Sequence, residues 1–350
     1  VRAMVIALVG GFAAIIMSPL LVQLGIWFFN AEPDLAAVFS TYFLIRVLSA
    51  PMSLSNYVIM GRLLGLGKSG VALFLQIVMN STNMAFSIGL GLWLGYGIVG
   101  IAAATVIGET LAMGLGLAII VRGRGGKAWP GRAQLLDKAR RRAFFQLNRD
   151  ITIRAFSLIF AFAFFTRVGT SFGETTLAAN AVLMHMFLLS GYLLDGFATA
   201  AEQMAGQSLG SNDRNSFRKT VQLTLVCGYI FAATLFALYT IFGDWFIALL
   251  VPENPDVVLV ARQFVFWAAL TPVVGVLAFE MDGVYIGAAW GREMRDTMLF
   301  SLVIFTALAY WAQSLGNNTT LWIALNIFLA LRGFTMLCLL PRIMRQTLPH

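Results

Sequence analysis

Charged side chains are scarce in this sequence, since Asp, Glu, Lys and Arg make up only 11% of its 350 residues. Soluble domains carry roughly 25% charged residues. Hydrophobic residues instead account for 59% of the chain, and its mean hydropathy is +0.82. So few charges cannot cover the surface of soluble domains of this total length. The composition therefore excludes a soluble enzyme and indicates a polytopic membrane protein.

Cysteine and histidine are nearly absent, with two residues of each. Cys227 and Cys338 each lie in an apolar run without CxxC spacing, so we expect small buried side chains rather than disulfides or metal ligands. The histidines are too far apart for a metal cluster, and the GKS at residues 67–69 lacks the GxxxxGK[ST] spacing of a phosphate loop. No cofactor, ATP hydrolysis or catalytic residue is therefore expected, and a membrane-embedded enzyme would need a reactive cluster that the sequence does not show.

Long apolar runs dominate the rest of the sequence. A membrane-spanning helix needs about 20 mostly apolar residues. Ten stretches qualify, namely residues 3–29, 36–60, 70–94, 97–121, 151–172, 177–205, 221–250, 257–287, 297–315 and 319–340. The sequence therefore predicts an all-α polytopic membrane protein with about ten transmembrane helices in this chain.

Basic residues are confined to alternate connections between these stretches. Of the 24 Lys and Arg residues, five lie within spans, and the other nineteen lie at the two ends or in every second loop. Because short cytoplasmic loops retain Lys and Arg, both ends and the long central loop are predicted to face the cytoplasm. This placement explains the net charge of +8 without nucleic-acid binding, and it predicts a multi-pass protein of the inner (plasma) membrane.

The most basic segment divides the chain in two. Residues 122–150 carry nine basic side chains and a Gly-rich turn. Their second half is amphipathic, which suits either a helix lying on the anionic leaflet or a solvated linker, and both readings stay open. We predict an N-terminal lobe remnant of four spans over residues 1–121, a cytoplasmic linker over 122–150, a C-terminal lobe of six spans over 151–340 and a cytoplasmic tail over 341–350.

An internal repeat relates the two halves. Laying residues from Val1 on residues from Phe217 keeps several landmarks in register: Pro51 with Pro272, and Gly61 and Gly65 with Gly283 and Gly287. Such GxxxG pairs let helices approach closely. Both copies have the same predicted orientation, which indicates parallel helix bundles, a plan known from transporters. Two helices precede the second copy but not the first, so twelve spans are expected in the complete protein.

Carboxylates within spans mark candidate sites, because charges at membrane depth are costly and face a cavity or a partner. Gly191, Asp195, Thr199, Glu202 and Gly206 follow one another at helical spacing and form a small, polar stripe on one face. We predict that Asp195 contacts a substrate or ion and that Thr199 lies beside it. Glu202 is closer to the cytoplasmic end, where the backbone or Arg218 would satisfy it.

Glu280 and Asp282 are two residues apart, so they cannot both face one cavity on a regular helix. Asp282 is the preferred structural partner or gate, and the role of Glu280 stays open.

In the first half, Glu109 lies midway along its span. A carboxyl group buried there without a close cation favours its neutral form, as a proton carrier requires. Asn83 on the preceding helix is placed to hydrogen-bond Glu109, and Arg46 needs an anionic or carbonyl partner that Glu109 would supply. Arg154 and Arg167 lie near span ends, from which their side chains are expected to reach the interface.

Several stretches together resemble multidrug and toxic compound extrusion (MATE) transporters, particularly the DinF-like branch. The stretch YLLDGFATAAEQMAGQSLGSNDR, which begins at Tyr192, resembles the eighth-helix signature of that family. IRVLSAP from Ile45, GIVGIAAATVIGE from Gly97 and DGVYIGAAWGREMRDTM from Asp282 are similar to other family segments. The resemblance covers the whole chain and places Val1 at the start of the family's third helix.

This resemblance implies two six-helix lobes and export of cationic or amphipathic organic compounds by alternating access, in exchange for protons or sodium and without ATP. Protons are favoured, because no span gathers the several oxygen ligands of a sodium site. A monomer is expected, with membrane lipids and small organic compounds as partners and no nucleic acid. The coupling carboxylate that DinF-like members carry in their first helix would lie upstream of Val1.

The fifth-helix motif of the family, an asparagine followed four residues later by an aspartate, reads Asn83 followed by Ser87 here. Arg46, Asn83, Glu109, Asp195 and Glu202 match residue types in family motifs. The alternative function is a flippase for lipids or lipid-linked oligosaccharides of the same superfamily, which should show a cationic cavity. Three arginines within spans keep this alternative open: Arg46, Arg167 and Arg262.

Overall fold

The computed structural model describes residues 2–29, 33–123, 138–251 and 254–348, and these residues divide into two compact units, Val1–Asp137 and Lys138–His350. The first unit contains α1 (Arg2–Phe29), α2 (Pro33–Val47), α3 (Ala50–Gly65), α4 (Ser69–Phe86) with a π-helical continuation (Ser87–Trp93), and α5 (Gly97–Arg122). Its apolar core cluster consists of Ile59, Leu63, Ala72 and Leu75, contributed by α3 and α4.

The second unit is a bundle of six helices. They are α6 (Lys138–Thr170), α7 (Glu174–Gly210), α8 (Arg214–Leu250), α9 (Pro255–Gly287), α10 (Gly291–Leu315) and α11 (Asn318–Thr347). A large aromatic core that includes Phe165, Phe305, Trp322 and Phe328 joins them. The predicted all-α membrane fold is confirmed, since the described residues contain nine helices long and apolar enough to span a membrane and one bent pair, α2 with α3, that together makes a tenth.

Two boundaries differ from the sequence-based expectation. The stretch predicted as one span over residues 36–60 is broken between Val47 and Ala50, where α2 and α3 meet at a bend of 49°. Helix α6 begins at Lys138, inside the segment predicted as a linker over 122–150. Residues 124–137, on which much of the linker prediction rests, lie outside the described part of the chain.

Two of the prolines within helices, Pro272 and Pro19, are compensated by a neighbouring hydroxyl group. Pro272 has no N–H to donate to the Ala268 carbonyl four residues earlier, and Thr271 Oγ1 donates to that oxygen instead at 2.6 Å. Ser18 does the same before Pro19 in α1, where its Oγ donates to the Ile15 carbonyl at 2.7 Å. In a bilayer core such hydroxyls replace water as hydrogen-bond donors, so α1 and α9 continue through their prolines.

Pro51 occupies the equivalent repeat position to Pro272 but begins a new helix. The residue before it is Ala50, which has no hydroxyl group, and the residue before a proline is disfavoured in helical conformation. The chain turns at Leu48 and Ser49, and α3 starts with Pro51 in its first turn. The two copies of the repeat thus share a proline and differ in the donor beside it.

The repeated GxxxG pairs also differ between the copies. A Cβ atom on Gly283 would overlap the carbonyl oxygen of Ala198, and one on Gly287 would overlap that of Glu202, so α9 lies directly on the backbone of α7. At Gly61 and Gly65 a Cβ atom would meet no described atom within 4 Å. Close helix approach through this motif is therefore observed in the second unit alone among the described residues.

Helix α8 begins with a polar cap. The backbone N–H of Ser216 donates to the Asp213 carboxylate at 2.9 Å, and this hydrogen bond lowers the pKa of Asp213 from its usual value of 3.8. The N-cap replaces one missing backbone partner at the first turn of the helix.

The expectation of buried cysteines was wrong, because Cys227 and Cys338 are both exposed on the surface of the chain. In a membrane protein the surrounding lipid is itself apolar. An apolar run there does not distinguish the core-facing side of a helix from the lipid-facing side.

Candidate functional site

Arg46 and Glu109 form an ion pair within the first unit. Arg46 Nη2 lies 2.8 Å from Glu109 Oε1, and Nη1 donates to Oε2 at 3.2 Å, which makes the contact bidentate. Arg46 is positioned by the bend between α2 and α3, since its guanidinium also donates to the Ser49 hydroxyl. Asn56 adds a hydrogen bond from its side-chain amide to the Glu109 backbone carbonyl at 2.9 Å. The structure thus contains the ion pair between Arg46 and Glu109 that the sequence suggested.

Glu109 also lines a cavity of about 120 Å³ between α3, α4 and α5, which Asn56, Tyr57 and Gln76 border as well. Asn83 does not reach this carboxylate. Its amide donates instead to Thr105 Oγ1 at 2.7 Å, about one helical turn before Glu109. The predicted Asn83–Glu109 hydrogen bond is therefore wrong, since Thr105 is the polar partner that α5 offers at the level of Asn83.

The second unit contains a buried group of three charges, which we call the arginine–aspartate triad: Arg154, Asp282 and Arg332. Arg154 Nη1 lies 3.0 Å from Asp282 Oδ2, and Arg332 Nη2 lies 2.5 Å from the same oxygen. The three side chains come from α6, α9 and α11, and Arg332 is only 2% exposed. Two guanidinium groups share one carboxylate, so the group has an excess positive charge.

The triad contradicts one sequence expectation and adds a residue that sequence reasoning missed. Arg154 does not reach toward the interface but turns inward to Asp282. Arg332 is one of the five basic residues that the sequence places within spans, and no role was predicted for it. A signal for both was available, because a carboxylate at membrane depth needs a cation, and Arg154 and Arg332 lie within spans of the same half.

Glu280, two residues before Asp282, points in another direction. It is fully buried, and neither carboxyl oxygen has a hydrogen-bond partner of ordinary geometry. Gly228 of α8 makes room for it, since a Cβ atom there would lie 2.8 Å from Glu280 Oε1. An isolated buried carboxylate is very costly, so this environment favours the neutral carboxylic acid.

Asp195 of α7 lies at the border of a second cavity, of about 260 Å³. Its carboxylate is exposed and forms no ion pair with a described residue, and the Thr199 hydroxyl donates to its backbone carbonyl at 2.8 Å. The other side of the stripe packs against α9, because Gly191 lies near the Phe279 ring and Gly206 near the Gly287 carbonyl. The stripe therefore combines a helix contact with an available carboxylate.

Glu202 is half-buried on α7, one turn beyond Thr199. Its backbone carbonyl is the group that Gly287 approaches, whereas its side chain bonds neither to the backbone nor to Arg218. The side chain of Glu202 thus lacks both of the partners that the sequence suggested for it.

The predicted site residues lie in separate places: Arg46 and Glu109 together, Asn83 nearby, Asp195 with Thr199 and Glu202 along α7, and Asp282 and Glu280 on α9.

Comparison with known proteins agrees with this architecture. Residues 151–311 match the MatE family model. DNA damage-inducible protein F of Escherichia coli (strain K12) is 34% identical over 301 residues, which cover 83% of this chain and 63% of that protein. Protein DETOXIFICATION 43 of Arabidopsis thaliana is 27% identical over 84% of this chain and 55% of its own length. The chain thus spans less than two thirds of the length of these relatives.

The solved structures show the same fold. A MOP superfamily transporter from Pyrococcus furiosus superposes with a TM-score of 0.86 at 16% identity, covering 99% of this chain and 78% of that one. At that identity the likeness concerns the fold. The match to the MatE family model and the 34% identity to the E. coli protein assign residues 151–311 to the MatE family, whose fold the chain as a whole shares.

Proposed function

We propose that the protein is a secondary active antiporter that exports cationic or amphipathic organic compounds in exchange for protons, by alternating access between two lobes. The observation that carries this proposal is the Asp195 carboxylate, which borders an aromatic cavity and has no ion-pair partner among the described residues. An unpaired carboxylate beside Phe162 and Phe187 offers an organic cation both charge and ring faces. Protonation of Asp195 would release that cation.

Two further carboxyl groups are proposed to take part in coupling. Glu280 lies in surroundings that favour a proton over a negative charge, as described above. Glu109 already has Arg46 as a partner, so protonating it would break a bidentate ion pair and free the bend between α2 and α3. We assign Glu280 to proton binding and Glu109 to a proton-dependent conformational change.

Asn83, Thr199, Glu202 and Asp282 complete the proposed pathway as positioning groups. No single span of the sequence gathers the several oxygen ligands that a sodium site needs, and we therefore propose protons as the coupling ion. Of the arginines that keep the flippase alternative open, Arg46 pairs with Glu109 and Arg262 lies 3.2 Å from Asp244. The excess positive charge of the arginine–aspartate triad, whose Arg332 borders a cavity, keeps the flippase as the second candidate function.

The proposal is tested by ethidium accumulation in everted membrane vesicles from cells that express the protein from its entire gene. An imposed pH gradient without sodium should drive uptake that a protonophore abolishes. We expect Asp195→Asn to lower the initial rate at least tenfold, because the cation loses its counter-charge. Glu280→Gln should uncouple uptake from the gradient.

Asp244→Asn is the matched control, since it removes an acid from the end of a span that pairs with Arg262 at the surface. It should keep the wild-type rate. Uptake that starts only when sodium is added would contradict proton coupling. If neither the pH gradient nor the sodium gradient drives ethidium uptake, the flippase becomes the favoured function.

A further inference from the structure

The cavity beside Asp195 has an unusual combination of walls. Leu158 and Phe162 of α6, Phe187 of α7 and Phe279 of α9 make most of it apolar. Two charged residues of opposite sign also border it, Asp195 and Arg332. Its volume of about 260 Å³ lies just below the roughly 300–1,000 Å³ of pockets for drug-sized ligands, so it fits the charged end of a larger amphiphile.

Arg332 has unused capacity to bind an anion. It shares Asp282 Oδ2 with Arg154, so two cations face one negative charge. Its Nε is buried without a hydrogen-bond partner, although the side chain is only 2% exposed. A buried charge that exceeds its counter-charges is costly. An anionic group in the adjoining cavity would balance the triad.

Asp195 does not supply that anion, since no ion pair joins it to Arg332. The cavity therefore presents an acid and a base that are not neutralised by each other. We propose that it binds zwitterionic amphiphiles, whose cationic group lies at Asp195, whose anionic group lies at Arg332, and whose apolar body packs against the phenylalanine rings. This inference rests on the proposed function and adds that, among its substrates, compounds that carry both charges bind more tightly than simple cations.

Such a ligand has two sources, a zwitterionic drug or the headgroup of a zwitterionic lipid. Both present a cation and an anion on an apolar body, and an experiment with two lipid compositions separates them.

The test compares rhodamine 110, which carries a carboxylate, with its methyl ester rhodamine 123, which is a simple cation on the same ring system. Binding to purified protein in phosphatidylglycerol nanodiscs is measured by fluorescence anisotropy without any gradient. We expect rhodamine 110 to bind at least tenfold more tightly than the ester, because only rhodamine 110 has a negatively charged carboxylate to place at Arg332.

Arg332→Met should abolish this preference by weakening rhodamine 110 at least tenfold and the ester less than threefold. Arg262→Met is the matched control, because Arg262 pairs with Asp244 at the surface and does not line the cavity. It should keep the preference. Asp195→Asn should weaken both dyes, since both carry the cationic ring system.

Equal binding of the two dyes to the wild-type protein, or binding of the ester alone, would overturn the zwitterionic site and leave the efflux proposal standing. This comparison needs no variant, so it decides the matter even if Arg332→Met fails to fold. Failure of both dyes to bind would count against the proposed function itself. Phosphatidylethanolamine has a zwitterionic headgroup that would compete with rhodamine 110 for the cavity. If rhodamine 110 binds more weakly in nanodiscs of this lipid, and Arg332→Met removes the difference between the two lipids, the natural ligand is a lipid headgroup. If rhodamine 110 binds equally in both lipids, the natural ligand is a soluble compound.

Discussion

Asp282 holds two arginines that come from opposite ends of the second unit's sequence. Both arginines donate to the Oδ2 atom of Asp282, whereas its Oδ1 atom accepts no hydrogen bond. Removing one arginine would leave a balanced pair. Removing the aspartate would leave two buried cations without a counter-charge, which is the more costly change.

We therefore predict that Asp282→Asn lowers the free energy of unfolding by about 3–5 kcal/mol, the usual result of breaking a buried ion pair on one side. Asp296→Asn is the control, because Asp296 pairs with Arg295 at the surface, and it should cost about 0–1 kcal/mol. Denaturation in mixed micelles, followed by tryptophan fluorescence, gives both values. Similar losses for the two variants would show that the triad does not stabilise the fold.

Asp213 predicts a pH dependence at the start of α8. Because its pKa is lower in the folded protein than the usual 3.8, the cap is fully effective above that value and is lost as the pH falls through the folded pKa. Hydrogen exchange of the peptide that contains Ser216 should accelerate below about pH 4, beyond the intrinsic pH effect. Asp213→Asn should remove this acid dependence, since an amide oxygen accepts without titrating. An identical pH profile for both proteins would refute the assignment.

Composition and charge placement could locate the carboxylates and predicted Arg46 as a partner of Glu109, but they did not predict the partners of Asp282. Asp282 is separated from Arg154 by 128 residues and from Arg332 by 50. Pairing over that distance depends on how three helices pack, and an apolar helix gives no periodicity that identifies its inner face. The same lack of contrast explains why Cys227 and Cys338 were expected inside.

Helix α9 passes through Pro272, where Thr271 Oγ1 donates to the Ala268 carbonyl, and the contribution of this hydrogen bond can be tested. Thr271→Val keeps the shape of the side chain but leaves the buried Ala268 carbonyl without a partner. We expect a loss of about 1–3 kcal/mol in the free energy of unfolding, as for other buried groups that lose their hydrogen bond.

Thr240→Val is the matched control. Thr240 likewise donates to a backbone carbonyl of its own helix, that of Phe236 four residues earlier, but it is exposed and no proline follows it. Its substitution should change stability by less than about 0.5 kcal/mol. A pair of equal effects would mean that the hydroxyl of Thr271 does not compensate for Pro272.

The number of spans could be predicted from the sequence, but whether each span is one continuous helix could not. Apolar runs of about 20 residues predicted all ten spans, because the bilayer sets that length. The prolines at the two repeat positions have different neighbours, Thr271 before Pro272 in the continuous α9 and Ala50 before Pro51 at the break between α2 and α3. Because Pro51 and Pro272 match in the repeat, the sequence predicted similar helices around them. The structure instead has a break between α2 and α3 before Pro51 and a continuous α9 through Pro272.

The two units differ in the size of their described cores. The core cluster of the first unit consists of four small or medium aliphatic residues, whereas that of the second includes Phe165, Trp322 and other aromatic side chains. Local stability follows the amount of buried apolar contact. We predict that amides of α3 and α4 exchange at least tenfold faster than those of α9 and α11, measured by hydrogen exchange in nanodiscs. Uniform exchange over the four helices would contradict this difference.

The direct backbone contact of α7 with α9 has a practical consequence for spectroscopy. Because Gly283 and Gly287 leave no space between the two helices, α7 and α9 cannot slide without a steric clash. Spin labels on their exposed faces should therefore report one constant distance whatever ligand or pH is applied. That pair would serve as an internal ruler, against which any distance change measured elsewhere in the protein can be calibrated.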